Sequence, residues 1–525
     1  MKKIISLLLT AVMVVSLFAA AAVTSNALTY GDYKYSVLDD GTVKITEYSG
    51  KDSDVVIPSQ IDEKDVTVIG KYAFSFCYEM NNVTVPSTVK RIGEGAFKNC
   101  YALKTATINA KITSLPEDMF WLCSELYKVT LPGSLRTIGA NAFFDCEKLR
   151  SVNLPSSLVK IGGRAFELCS KITSISIPDN VRSVGYGAFC DCTNLSKVTI
   201  GKGLKSDPSG VFICCDKLRS ISVSSSNKYL CSVGGNLFSK DKKKLYAYAI
   251  GNSRTSYSIP DTVTEIFSLA FWGSKNLTGV SFGDNVKKVN TNAFYECKNI
   301  TTIKLNKKLE SIAEQAFAEC SRLKRISIPK SVKHIGAFAF MDCSRLAKIT
   351  VTDSLKSISE NAFHNTAWYN RASNGLLYIG KVAYQYKGTA PAKVTVKKGT
   401  LGIAGGAFSG QVKVRRIVLP STIKRIGATA FYRCKALYSI NIPNGVTTIG
   451  DNTFVTCIKL KTLTIPKSVK KISNNAIGFN LIYDEDEGSS DEGDYVAVKG
   501  FKLRGYKGTA AEKYAKKFKI SFVKL

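Results

Sequence analysis

Apolar positions in this chain recur on one long, fixed period. Phenylalanine falls at 74, 97, 120, 143, 166, 189 and 212, then at 271, 294, 317, 340 and 363, then at 408, 431 and 454, with Ile477 next, and every step inside a block is 23 residues. Self-similarity on this scale marks a repeat architecture. Around Phe143 the unit supplies Leu126, Val129, Leu131, Pro132, Leu135, Ile138, Gly139, Ala142 and Cys146; the next unit repeats them as Leu149, Val152, Leu154, Pro155, Leu158, Ile161, Gly162, Ala165 and Cys169.

The placement of these residues predicts the local structure. Val129 and Leu131 are two apart, so they face one side of a short strand while Lys128 and Thr130 face the other. Pro132 has no N–H to give to a ladder and ends the strand. Leu135 and Ile138, three apart, fit a tight turn or short helical return, and Gly139 permits a backbone bend. The Ala-Phe pair fills the interior. One such unit cannot bury its own apolar face, but stacked units share a continuous core with parallel strands ~4.8 Å apart. Sixteen units then make one elongated domain on the order of 75 Å long. Phe97, Phe143 and Phe166 are read as members of a structural ladder, each costing ~3 to 5 kcal/mol on truncation to alanine.

At this point the units resemble a known family. "LRSVNLPSSLVKIGGRAFELCSKI" is similar to the treponemal-type leucine-rich repeats of the BspA-like family, in which Leu, Ile-x-Ile-Pro, Ile-Gly, Ala-Phe and Cys recur every 23 residues, and the resemblance covers about 58–480. It implies an α/β-type repeat solenoid: a curved leucine-rich-repeat stack with a parallel β-sheet on one face, two inserted hairpins and terminal caps. It also implies export or surface display by a host-associated bacterium, in a family that includes adhesins for host matrix proteins. Asn109, Gly201, Gly283, Asn306 and Thr352 replace the strand-ending proline, so those units are expected to turn less sharply.

Breaks in the period divide the chain. Phe212 to Phe271 is one unit plus 36 residues and Phe363 to Phe408 one unit plus 22, which places hairpins projecting from the solenoid at 213–258 and 367–400. Repeats occupy 58–212, 259–366 and 401–480, with a hairpin cap at 28–57, an acidic linker at 481–497 and a C-terminal cap at 498–525, its helix opening near Thr509. The linker's "DEDEGSSDEGD" is only weakly like a calcium loop. Residues 1–27 read as a signal peptide: Lys2 and Lys3, an apolar run to Val23, and cleavage near Ala27. The mature chain is then expected to be secreted or held at the cell surface, monomeric and without a transmembrane span.

Composition adds charge to this picture. Lys and Arg number 73 against 41 Asp and Glu, a formal +32 that becomes +30 without Lys2 and Lys3. Such a charge attracts polyanions. Export leaves anionic wall polymers, mucins and acidic glycans as partners, with no nucleic acid expected. Seven residues before the unit's Phe or Ile come Lys90, Arg136, Arg182, Lys287, Lys333, Lys356, Lys424 and Lys470; stacked, they predict a basic ridge whose spacing is shorter than the ~8 Å Debye length. Outward strand positions such as Thr105, Thr107, Ser174 and Ser176 make a polar face. The second insertion offers Trp368, Tyr369, Tyr378, Tyr384 and Tyr386 as aromatics for a contact surface.

Candidate chemistry is sparse. The only histidines, His334 and His364, sit 30 residues apart on different units, and there is no phosphate-binding or dinucleotide motif. No catalytic, cofactor or metal residue is assigned. Twelve of the 15 cysteines, Cys100, Cys146 and Cys169 among them, lie three residues after the unit's Phe and are read as a packing ladder of buried free thiols. Cys190, Cys214 and Cys231 fall outside it and are candidates for a specific bridge. The reading is a non-catalytic extracellular repeat protein presenting a rigid surface for adhesion to host or cell-surface macromolecules. The alternative is a wall-associated scaffold held on anionic polymers by the basic ridge.

Overall fold

The computed structural model describes residues 28–482 and 494–525. The signal peptide expected at 1–27 and, within the acidic linker, residues 483–493 with their weak calcium-loop likeness lie outside the described residues. The molecule is a solenoid in which successive coils stack in a register of 23 residues: Val83 pairs with Ala106 and Ala106 with Val129 in one parallel sheet. Alternation inside each strand sets the faces. In Ser174–Ile177 the two serines are exposed and the two isoleucines buried, as a strand half in water requires.

Most coils also carry a second strand, the coil of Phe212 being without one. The return segment read as a tight turn or short helix forms a secondary parallel sheet, in which Ser114–Leu115, Thr137–Ile138 and Lys160–Ile161 pair in order. Helix among the described residues is confined to Ala367–Arg371 and Ala510–Lys517. A third line of bonds runs along the Ala-Phe segment: Asn141, Phe143 and Asp145 each donate their N–H to the next coil, to the carbonyls of Gly163, Ala165 and Glu167 at 2.8–3.0 Å. Left-handed backbone two residues either side of the phenylalanine, as at Asn141 (φ 52°) and Asp145 (φ 57°), goes with this arrangement.

Between these lines the side chains fill the interior. Phe143 and Phe166 lie 5.0 Å apart at 7°, and consecutive ladder phenylalanines are separated by 4.4 to 5.9 Å. All of the ladder from Phe74 to Phe454 is buried. Gly139 and Gly162 serve closeness, not a bend, which corrects the sequence expectation. Neither has a positive φ, and a Cβ on Gly162 would sit 2.5 Å from the backbone nitrogen of Ala140 in the preceding coil. Three of the positions that replace the strand-ending proline bond to the preceding coil. Asn109 and Gly201 give the N–H that proline lacks to Val85 and Ile177, and the buried Asn306 amide donates to Val286 O at 2.9 Å.

The two insertions do not project. In the first, Leu230–Val233, Asn236–Ser239 and Lys244–Ala247 form an antiparallel meander whose last strand pairs parallel with Glu265–Ile266, so the insertion becomes part of the secondary sheet. The interior divides there into two apolar clusters, one running from Tyr35 to Ala249 and the other from Phe238 to Ala515, instead of the single continuous core expected. In the second insertion, Gly375–Ile379 and Val382–Lys387 make a hairpin whose second strand pairs with Gly402–Ile403.

The ends are closed by strands as well. Leu28–Tyr30, Tyr33–Val37 and Val43–Tyr48 form an antiparallel cap, and Val43–Tyr48 pairs parallel with Lys64–Ile69. Asp54–Val56 pairs with Asn82–Val85, so the primary sheet begins inside the segment expected to be cap. At the other end Phe479–Ile482 and Asp494–Ala497 pair antiparallel, so both margins of the expected linker are strand. Lys502–Gly505 and Ser521–Lys524 then extend the primary sheet beside Thr462–Thr464, with Thr509 the N-cap of the last helix.

Candidate binding surface

Stacking brings the basic residues together on the secondary sheet. Lys90, Arg136, Arg182, Lys287, Lys333, Lys356, Lys424 and Lys470 are all exposed and each stands just before a strand of that sheet. Main-chain bonds join their column: Val159 donates to Arg136 O, Arg182 to Val159 O, Glu310 to Lys287 O and Lys356 to Lys333 O. The column is nevertheless not cationic at every coil. Val159 separates Arg136 from Arg182 and Glu310 separates Lys287 from Lys333, so many ridge cations stand two coils, ~9.6 Å, apart. That exceeds the ~8 Å Debye length and corrects the expected spacing; Lys333 and Lys356 are neighbours.

Sequence reading missed the adjacent column, one residue further on. Arg91, Lys160, Lys288, Arg425 and Lys471 occupy the first position of secondary-sheet strands and are exposed. Lys160 fills the coil that Val159 leaves uncharged. The column's signal in the sequence is the same 23-residue interval, six residues before the unit's Phe or Ile. Lys356, Lys424 and Arg425, with Leu401, Gly445 and Thr447, line a hollow of about 270 Å³, where cations of alternate coils converge. Some members are partly engaged: Lys287 lies 3.8 Å from Glu310, and Lys333 Nζ donates to Lys330 O at 2.7 Å.

The aromatics of the second insertion behave differently. Tyr384 is buried and edge-on to Phe363 at 5.9 Å, and its hydroxyl accepts the Phe363 N–H at 2.9 Å. It meets the ladder on the Phe363 side of the break, while Tyr386 meets Phe408 at 6.1 Å on the other; buried, Tyr384 cannot be a contact residue, which corrects that assignment. Trp368, Tyr369, Tyr378 and Tyr386 are half-buried against the same core. Lys387 closes the end of the Ala367–Arg371 helix by donating to the carbonyls of Tyr369, Asn370 and Ala372 at 2.6–2.9 Å. The primary sheet is polar, with a hollow of about 390 Å³ lined by Thr302, Lys304, Arg325, Ser327, Lys348 and Thr350 among others.

The cysteine ladder has a specific geometry. Cys100, Cys123, Cys146 and Cys169 donate their thiols to the carbonyls of Phe74, Phe97, Phe120 and Phe143, the phenylalanines one coil earlier, at 3.0–3.2 Å. Burial pushes the Cys146, Cys215 and Cys457 thiols well above the ordinary range. All fifteen cysteines are free. Cys190 and Cys231 donate to Asp191 Oδ2 and Ser239 O, both at 3.2 Å. Glu167, Cys190 and Asp191 bring three ligand atoms within 4.8 Å, but Arg164 already holds Glu167 at 2.6 Å. His334 bonds Ser357 Oγ at 2.9 Å on the secondary sheet.

Comparison with known proteins agrees with this architecture. A model of the BspA type leucine rich repeat region, of six copies, matches residues 48–170, 122–245, 243–369 and 372–481. A leucine rich cell surface protein of Faecalibacterium prausnitzii is 27% identical, with 65% of this chain and 92% of that one aligned at a TM-score of 0.53. A leucine-rich repeat protein of Bacteroides ovatus is 22% identical over 84% of this chain and 95% of the other, at a TM-score of 0.41. No curated protein matches the sequence. The 23-residue register, the phenylalanine and thiol ladders and the family match over most of its length place this chain in the BspA-type leucine-rich repeat family.

Proposed function

We propose that the protein is exported and acts outside the cell as a non-catalytic binding protein that holds anionic polymers along its cationic secondary sheet. The observation that carries this reading is the stacking of two exposed cation columns and their convergence around the hollow at Lys356, Lys424 and Arg425. A repeated row of like charges recruits a repeated opposite charge, and each added contact raises the effective concentration for the next. Export is supported by the basic and apolar start of the chain, and surface placement by the F. prausnitzii relative, which is described as a cell surface protein. No helix among the described residues is long and apolar enough to cross a membrane. Attachment to a host surface and retention in the bacterium's own wall would use the same contacts.

A second reading is adhesion to a host protein through the primary sheet, favoured by the hollow around Lys304, Arg325 and Lys348. Binding of residues 28–525 to an immobilised anionic polymer, neutral dextran and a host matrix protein, at two salt concentrations, separates the two. The polyanion reading expects a K356Q/K424Q/R425Q variant to lose at least tenfold in affinity for the anionic polymer, with dextran unbound throughout. Unchanged polymer binding in that variant would overturn it. Saturable matrix-protein binding that survives moderate salt would move the function to the primary sheet.

A further inference from the structure

The polar edge where each coil leaves its thiol and enters the primary sheet includes one coil without a primary strand. The ladder of the primary sheet runs from Asp54–Val56 to Lys128–Thr130 and resumes at Ser174–Ile177, and the coil between them, at 151–154, forms no strand. Beside that interruption lies a depression of about 280 Å³ lined by Lys104, Glu125, Tyr127, Lys148, Arg150 and Lys171. Lys104, Tyr127 and Arg150 hold one position in three successive coils, and Tyr127 N–H donates to Lys104 O at 3.0 Å, so an aromatic ring stands between two cations in a single column. Lys148 and Lys171 flank it from the column two residues earlier. Four cations face one carboxylate, Glu125, which Lys148 already engages at 2.5 Å.

Tyr127 is 44% exposed, which hydrocarbon packing does not require. Exposed rings continue along the same edge: Tyr78 and Tyr101, 57% and 42% exposed, are parallel at 5.8 Å, and Phe76 meets Tyr78 edge-on at 6.1 Å. A cluster of exposed rings rimmed by polar groups marks an interaction surface. Flat rings offer a face to the C–H side of a pyranose, and the cations between them offer charge-assisted bonds to a carboxylate or sulfate. The volume is close to the lower end of small-ligand sites, roughly 300 Å³, and so suits one or two sugar rings of a chain that continues across the surface.

We propose that the depression around Tyr127 is a binding site for an acidic polysaccharide, one acidic sugar seated on the Tyr127 ring with its anionic group among Arg150, Lys148 and Lys171. It is separate from the cation columns of the secondary sheet and stands or falls without them. Residues 28–525 carrying K356Q/K424Q/R425Q serve as the parent, so that secondary-sheet binding is reduced before the site is probed. Affinities are measured for polygalacturonate, which carries carboxylates, for heparin, which adds sulfates, for polyphosphate, which has charge without sugar, and for neutral dextran.

Y127A and R150Q/K171Q are each expected to weaken binding of at least one acidic polysaccharide by tenfold or more, and the preferred polymer identifies carboxylate or sulfate as the recognised group. Y127A is expected to leave polyphosphate binding within twofold. Equal losses for polyphosphate and both polysaccharides in Y127A would overturn the proposal in favour of a plain charge patch. Unchanged polysaccharide binding in both variants would also overturn it. R150Q/K171Q removes no aromatic packing, so the proposal stays testable if Y127A fails to fold.

Discussion

Twelve coils carry a thiol three residues after the ladder phenylalanine, and Ser274, Thr366, Gln411 and Asn480 take that position in the other four. Cys169 bonds the carbonyl of Phe143 at 3.1 Å while the Phe143 and Phe166 rings stack at 5.0 Å, so the two ladders lock neighbouring coils together twice. Phe166→Ala is expected to cost about 4 kcal/mol, read as a lower denaturant midpoint. The thiols also set a pH dependence. Burial raises the folded pKa values of Cys146, Cys215, Cys434 and Cys457, that of Cys434 to about 12, whereas an exposed thiol in the unfolded chain titrates near 8.5. Above that value the unfolded state binds fewer protons than the folded one, so stability is fully present at neutral pH and falls as pH rises. Each such thiol contributes a loss of about 1.4 kcal/mol per pH unit. Unfolding midpoints measured under reducing conditions from pH 7 to 10 should fall steeply, and a variant with several ladder cysteines replaced by alanine should fall less.

At the scale of elements, the second insertion is a splice in the ladder. Tyr384 supplies the ring and also the acceptor for the Phe363 N–H. Tyr384→Phe keeps the ring but strands that buried donor, with an expected cost of about 1 to 3 kcal/mol in thermal unfolding. The solenoid, its period and its primary strand were legible because the same apolar residues return every 23 positions. The secondary strand was not: a pair such as Thr137–Ile138 is too short to show an alternation. The role of Gly162 was also hidden, because a glycine that lets a neighbouring backbone approach reads the same as one that bends. Tyr384 was misjudged because composition does not say which side of a hairpin meets the core. Left-handed positions had left a trace, with Asn and Asp at 99, 118, 141, 145 and 191, but Leu168 and Thr429 at the same positions blurred it.

For the whole molecule, binding follows from repetition. One exposed lysine in water is worth little, but cations placed every one or two coils on a rigid frame meet a polymer's charges with no backbone to order, leaving only their own side chains to be fixed. The ridge was legible as a column in the sequence; its gaps at Val159 and Glu310, and the second column that fills the coil at Lys160, needed the stacked coils to be seen together. Such binding releases counterions, so the logarithm of the affinity should fall linearly with the logarithm of the salt concentration, with a slope set by the number of contacts. The most direct test is that slope, measured for residues 28–525 and for K356Q/K424Q/R425Q on one immobilised anionic polymer. A slope shallower by about two to three in the variant, with weaker binding at low salt, is the result expected from the loss of three contacts. An identical slope and affinity in the two proteins would contradict the claim that the secondary sheet holds the polymer.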